Sequence, residues 1–171
     1  QVPPQCTLHP DSDFLTASDL DAFGDVLRIH HLFSHEPFSK DKFEFAFESI
    51  MSSGRHDVHL AARGNRGFDI LMDDKRVSLK TEASAAIKRD TLHISKFMEL
   101  GGGQWGDNPD DLIGLLRQFI NVLDLIDRIF VLRLLEKGSP DYLYELVEIP
   151  KALLGKAIDG RLEMKIDSSQ H

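Results

Sequence analysis

Two residues of this sequence have the types and the spacing that metal-dependent hydrolysis of a phosphodiester requires. Asp69 and Lys80 lie eleven positions apart, separated by two short segments of strand character and a polar turn. Strands joined by a tight turn pair side by side, so a carboxylate on one and an amine on the next can converge on one point. Carboxylate oxygens bind hard cations such as Mg²⁺, which activate water, and a lysine can offset charge in the transition state. The spacing therefore makes a nuclease our leading hypothesis.

Local patterns predict the hairpin that would position this pair. Residues 67–72 form a short apolar run, residues 73–75 are polar enough to reverse the chain, and residues 76–81 alternate in character. Because successive side chains of a strand point to opposite faces, Ser78, Lys80 and Glu82 share one face. We expect this polar face to carry the chemistry.

A helix before the hairpin is predicted to supply another carboxylate. Ser39 is a good N-cap for a helix over residues 40–51. The apolar positions of this helix have the spacing of one buried stripe: Phe43, Ala46, Phe47 and Ile50. Glu44 lies at the border of the stripe and can reach inward, whereas Glu48 lies further toward solvent. The alternative is that both glutamates are ordinary surface residues.

Other segments predict further helices and strands around the hairpin. In chain order they are an irregular arm over residues 1–16, a helix capped by Ser18, a strand or bend at the sheet edge over residues 57–63, a helix that starts at Asn108-Pro109, two hairpin strands over residues 128–135 and 142–149, and a short helix that starts at Pro150. No internal repeat or linker interrupts this series. We therefore predict a single α/β (α+β) domain over residues 17–171.

Composition limits the class of protein. A chain of 171 residues with 42% hydrophobic and 28% charged residues is ordinary for one soluble domain. The single cysteine, Cys6, excludes an internal disulfide and a four-thiolate metal site, and favours a reducing cytoplasm. Charged residues interrupt the longest apolar stretch, residues 112–135, so no membrane span is predicted. The sequence begins without methionine or a secretion signal, which is consistent with a piece of a longer chain.

The net charge of −8 argues against a nucleic-acid partner without excluding one, because a local basic strip can still bind DNA. Candidate basic residues flank the hairpin: Arg63, Arg66, Lys88 and Arg89. The loop over residues 101–106 adds Gln104 and Trp105 as candidate groove contacts, but it lacks the features of a phosphate-binding loop, so no nucleotide cofactor is expected. The alternatives are a solvated surface for the basic residues and a plain connection for the loop.

The order of elements and three short motifs resemble the PD-(D/E)xK nuclease superfamily, most specifically type II restriction endonucleases. Phe68-Asp69 stands where the family has Pro-Asp, Ser78-Leu79-Lys80 stands where it usually has an acid, any residue and lysine, and Phe43-Glu44 lies in a preceding helix. The resemblance covers roughly residues 40–150. It implies a restriction-endonuclease-like mixed central sheet flanked by helices.

The resemblance also implies a site and a substrate. Asp69 and a second carboxylate would hold Mg²⁺, while Lys80 would orient or deprotonate the attacking water. Ser78 occupies the position of the second acid, so the missing carboxylate is sought among Glu44, Glu82 and Glu99. The expected activity is site-specific cleavage of double-stranded DNA, and a palindromic target would call for a homodimer.

Two alternatives stay open at this point. A repair-type nicking nuclease of the same superfamily is similar in its Leu79-Lys80-Thr81 run. A non-catalytic α/β module that binds DNA or protein is favoured by the acidic balance and by Ser78.

Overall fold

One mixed β-sheet organises the part of the chain that the structure describes. The structure is a computed structural model that describes residues 3–54, 56–62, 65, 67–84, 87–91, 109–138 and 141–160. The elements are α1 (Ala17–Phe33), α2 (Lys40–Ser53), β1 (Val58–Leu60), β2 (Ile70–Met72), β3 (Lys75–Glu82), α3 (Pro109–Leu123), β4 (Arg128–Lys137), β5 (Tyr142–Glu148) and α4 (Lys151–Gly155), followed by a 3₁₀ turn (Lys156–Asp159). None of the helices within these ranges has the length and apolar character needed to cross a membrane.

The five strands lie side by side in chain order, from β1 at one edge to β5 at the other. The pairs β1–β2, β2–β3 and β4–β5 are antiparallel, whereas β3 and β4 are parallel. The segment between β3 and β4 must therefore cross over the sheet, and α3 belongs to this crossover. The predicted mixed sheet with flanking helices is confirmed.

Apolar residues cover both faces of the sheet. In β4, Phe130 and Leu132 belong to a core cluster with buried residues of α1 and α2, whereas Ile129 and Val131 belong to a second cluster with Leu123 of α3 and Leu154 of α4. This alternation is the two-residue period of a strand buried on both faces. The sheet therefore lies between α1 and α2 on one side and α3 and α4 on the other.

Helix α2 is anchored on the sheet by the stripe that its sequence predicted. Phe43 and Phe47 are fully buried, and burial of a side chain of this size contributes about 1.5–3 kcal/mol of transfer free energy. Ser39 is the N-cap, as predicted, because its side chain accepts a hydrogen bond from the Lys42 amide at 3.4 Å. The cap fixes where α2 begins, and the buried stripe holds the helix against the sheet.

The predicted cap of α1 was wrong by two residues. Thr16, not Ser18, is the N-cap: its hydroxyl accepts from the Asp19 amide at 3.2 Å, and the Asp19 carboxylate accepts from the Thr16 amide at 2.8 Å. This reciprocal capping box satisfies two amide donors at once. The arm before it is irregular, as predicted, and its Leu15 is buried in the core.

The predicted hairpin is confirmed, with a turn of two residues between β2 and β3. Asp73 and Asp74 have positive φ angles of 46° and 65°, the conformation that a two-residue turn needs to match the twist of its strands. The Asp73 carboxylate accepts hydrogen bonds from the Asp57 amide at 2.9 Å and from the His56 ring. His56 is thus paired with Asp73, and His59 is paired with Asp57 at 3.0 Å. Each imidazole therefore has its own carboxylate partner.

Candidate active site

Asp69 lies directly before β2, and its backbone continues the sheet. Its amide donates to the Val77 carbonyl at 2.9 Å, and its carbonyl accepts from the Ala61 amide at 2.9 Å. The side chain is only 14% exposed. Held on both sides, the carboxylate has a fixed direction toward β3 and α2.

One oxygen of this carboxylate is bound by β3. Oδ2 accepts from the Leu79 amide at 2.6 Å and from the Ser78 hydroxyl at 3.1 Å, and the Lys80 Nζ lies 3.8 Å away. The structure therefore brings together Asp69, Ser78 and Lys80, three of the residues that the sequence predicted for the site.

The other oxygen faces α2. Oδ1 of Asp69 accepts from the Lys40 Nζ at 2.6 Å, and the same Nζ lies 3.0 Å from Oε1 of Glu44. Glu44, the glutamate predicted to reach inward, is thus linked to Asp69 through a single nitrogen. Lys40 was not among the residues predicted for the site. Its place four residues before Glu44, at the start of the helix, could have indicated it, because this spacing favours an ion pair.

The charges of the site stabilise one another. Burial raises the pKa of Asp69, but the charge of Lys80, the hydrogen bond from Lys40 and the Leu79 amide together outweigh burial and leave this pKa below its ordinary value. Burial lowers the pKa of Lys40, but Asp69 and Glu44 outweigh it and raise the pKa above its ordinary value. At neutral pH the Asp69 carboxylate is therefore ionised and the Lys40 amine is protonated.

Glu82, predicted as a metal ligand, is placed elsewhere. It lies two residues beyond Lys80 on the same strand, but its carboxylate accepts from Nε of Arg133 at 3.1 Å, and both side chains are buried. Arg133 also donates to Glu145 at 2.7 Å. Glu82 is therefore not among the described contacts of Asp69. Its carboxylate instead neutralises the buried guanidinium of Arg133. The sequence feature that could have predicted this pairing is Arg133, a single arginine within the apolar middle of β4.

The predicted DNA contacts are only partly within the described residues. Arg63, Arg66, Gln104 and Trp105 lie outside them, as does Glu99. Arg89 forms an ion pair with Glu136. The Lys88 carbonyl accepts from Arg133 at 2.6 Å.

The donors at the site fit a hard divalent cation that keeps part of its water shell. Among the described residues, no group of three or more histidine, cysteine, aspartate or glutamate side chains is arranged to hold a metal. Asp69 and Glu44 nevertheless present one carboxylate oxygen each to the same nitrogen. Mg²⁺ is commonly bound by one or two carboxylates and several waters, whereas zinc prefers nitrogen and sulfur ligands.

Comparison with known proteins identifies the family. The model of the SmaI family, described as type II site-specific deoxyribonucleases, matches residues 2–171. The chain belongs to this family. The type II restriction enzyme SmaI of Serratia marcescens is 40% identical to it over 159 residues, which are 92% of this chain and 62% of the relative. This SmaI-family chain therefore spans less than two thirds of that relative's length, and no solved structure matches it.

The predicted resemblance to type II restriction endonucleases is thereby confirmed. Membership of the PD-(D/E)xK superfamily stays a prediction, and so does the role of each site residue.

Proposed function

We propose that this SmaI-family chain carries the catalytic site of a site-specific endonuclease of the PD-(D/E)xK type, which hydrolyses phosphodiester bonds of double-stranded DNA. The observation that carries the proposal is the convergence of Asp69, Lys80 and Glu44 from a hairpin and a separate helix. Family membership supports the substrate and the site-specific cleavage. Type II restriction enzymes generally use divalent metal ions, and the oxygen-only donor pair favours Mg²⁺.

Asp69 and Glu44 would hold the ion. When bound, Mg²⁺ supplies Lewis-acid activation of the phosphate and of a water molecule. Ser78 and the Leu79 amide bind Oδ2 of Asp69, which leaves Oδ1 directed toward Glu44. The serine in place of the usual acid would thus fix the orientation of the first carboxylate, and the helix would supply the second.

Lys80 would act on the reacting groups themselves. Its Nζ lies 3.8 Å from Oδ2 of Asp69 and its side chain is 27% exposed, so solvent reaches it beside the carboxylate. From this position it would orient the attacking water and offset the charge that develops on the phosphate oxygens. A preorganised charge of this kind contributes about 10²–10³-fold to a rate.

The remaining proposals concern partners and setting. We retain Arg63, Arg66, Lys88, Gln104 and Trp105 as candidate DNA contacts, whereas the ion pair with Glu136 weakens the case for Arg89. A palindromic target would be cut most simply by a homodimer, with one site for each strand. The single cysteine supports a reducing, cytoplasmic setting.

Plasmid cleavage tests the proposal. Supercoiled DNA is incubated with the wild-type chain in Mg²⁺ and in EDTA, and with the variants Asp69→Asn and Lys80→Met. We expect metal-dependent cutting by the wild type and a loss of at least about 10²-fold in both variants, with DNA binding retained. Asp74→Asn and Lys75→Met are the matched controls, since they change the same residue types within the same hairpin but away from the site.

The outcomes separate the alternatives. Cutting at the wild-type rate by either site variant contradicts the assignment. Accumulation of nicked circles without linear product favours a repair-type nicking nuclease. DNA binding without any cutting by the wild type favours the non-catalytic module.

A further inference from the structure

The Lys40 ammonium occupies a specific point between two carboxylates. Its Nζ lies 2.6 Å from Oδ1 of Asp69 and 3.0 Å from Oε1 of Glu44. Lys80, by contrast, approaches the opposite oxygen, Oδ2 of Asp69. Lys40 therefore stands on the side of the aspartate that is directed toward Glu44.

This position is also the one that a cation shared by the two carboxylates would need. Two ionised carboxylates that face one point repel each other unless a positive charge lies between them. Mg²⁺ binds oxygens at 2.0–2.1 Å and demands near-ideal geometry, so an ammonium within hydrogen-bonding distance of both oxygens competes with it for the same space. Lysine and metal ion cannot both occupy this point.

The Lys40 side chain has a route away from the site. Lys40 is the first residue of α2, and its side chain is 39% exposed, compared with 14% for Asp69 and 23% for Glu44. Rotation about the bonds of its flexible stem would carry the ammonium into solvent without a shift of the backbone.

We propose that Lys40 is a built-in counter-ion, which holds the Asp69 and Glu44 carboxylates together in the metal-free protein and leaves them when a divalent ion binds. The inference rests on the proposed function, in which these carboxylates hold Mg²⁺. Lys40 is then a positioning residue: it keeps the metal ligands assembled, and its displacement makes metal binding weaker than the carboxylates alone would allow.

Titration with Mg²⁺ in the absence of DNA tests this role. Isothermal titration calorimetry is performed on the wild type, Lys40→Met and Lys40→Gln, with thermal unfolding of each protein in EDTA and in excess Mg²⁺. We expect both variants to bind Mg²⁺ more tightly than the wild type, by on the order of fivefold. We also expect them to melt earlier in EDTA, with the difference shrinking at saturating Mg²⁺.

Lys42→Met is the matched control. Lys42 lies on the same turn of α2, but its Nζ contacts His30 instead of the site carboxylates. Lys42→Met removes the same positive charge from the neighbourhood of the site. If Lys40→Met gains more Mg²⁺ affinity than Lys42→Met, the difference reports the direct contact of Lys40 with the carboxylates.

Three results would overturn the inference. Lys40 variants that bind Mg²⁺ no more tightly than Lys42→Met show that Lys40 does not compete with the metal. Lys40 variants that melt like the wild type in EDTA show that it does not hold the carboxylates together. Wild-type protein that binds no Mg²⁺ removes the metal site of the proposed function as well, and this outcome is visible in the wild-type titration alone.

Discussion

Substitution of Glu82 tests whether its carboxylate stabilises the fold or takes part in catalysis. The change Glu82→Ala would leave Arg133, which is only 2% exposed, without its buried partner. Removing one member of a buried ion pair costs about 3–5 kcal/mol, because the other charge stays desolvated. The guanidinium would still be bound by Glu145 at 2.7 Å and by the Lys88 and Thr91 carbonyls at 2.6 and 2.7 Å. We therefore expect a loss at the lower end of this range, about 3 kcal/mol.

Urea unfolding and thermal melting measure this loss. For a domain of this size, 1 kcal/mol corresponds to about 2–4 °C, so Glu82→Ala should lower Tm by about 6–12 °C. Glu145→Ala is the matched control, because Glu145 contacts the same guanidinium but is 41% exposed, and its removal should cost less than about 1 kcal/mol. Plasmid cleavage by Glu82→Gln, measured below its Tm, should stay close to the wild-type rate.

The opposite pattern would refute the reasoning. If Glu82→Gln melts like the wild type yet loses cleavage, Glu82 acts as the second metal ligand for which it was a candidate, and the pairing with Arg133 does not describe its role. If Glu82→Ala costs less than about 0.5 kcal/mol, the buried guanidinium does not depend on this carboxylate.

Three further changes test the turn, a half-buried histidine and an ion pair. Asp74→Gly should stabilise the protein by about 0.5 kcal/mol in urea unfolding, because glycine adopts the positive φ of 65° without strain; a loss of stability would contradict this account of the turn. Burial lowers the pKa of His31 below 6.5, so the unfolded chain binds more protons and the free energy of unfolding should fall as pH decreases from about 6.5. His31→Gln should flatten this dependence, and an unchanged slope would exclude His31 as its source. The hydrogen bonds from Arg76 lower the pKa of Asp127 from 3.8 to about 2, a contribution that is complete above pH 3.8 and lost as pH falls toward 2. The cost of Asp127→Asn, about 1 kcal/mol at pH 7 after allowance for solvent exposure, should therefore shrink in unfolding measured near pH 3, and a constant cost would contradict the linkage.

Local patterns determined the parts of the site that lie close together in sequence. The alternation of residues 76–81 and the polar residues 73–75 before them predicted the hairpin, and the hairpin alone accounts for the approach of Lys80 to Asp69. The cap and stripe of α2 predicted which side of that helix is buried, and hence that Glu44 could reach inward. These features depend on the periodicity of helices and strands and on the chemistry of turns and caps, which operate over a few residues.

Tertiary structure decided which carboxylate lies close to Asp69. Parallel pairing places Glu82 directly opposite Arg133, a residue 51 positions away. This register pairs with the arginine a glutamate that the strand pattern had placed on the face of Lys80 and that the family resemblance had made a candidate metal ligand. The docking of α2 against the hairpin brings Lys40 between Asp69 and Glu44. The local sequence around Lys40 does not predict its contact with Asp69, which lies 29 positions later in the chain. A strand pattern fixes the face on which a side chain lies, but the charge that it meets there depends on the neighbouring strand and helix. The packing of the whole sheet therefore determines which charged residue becomes the partner, because a buried charge is stable only when it is paired.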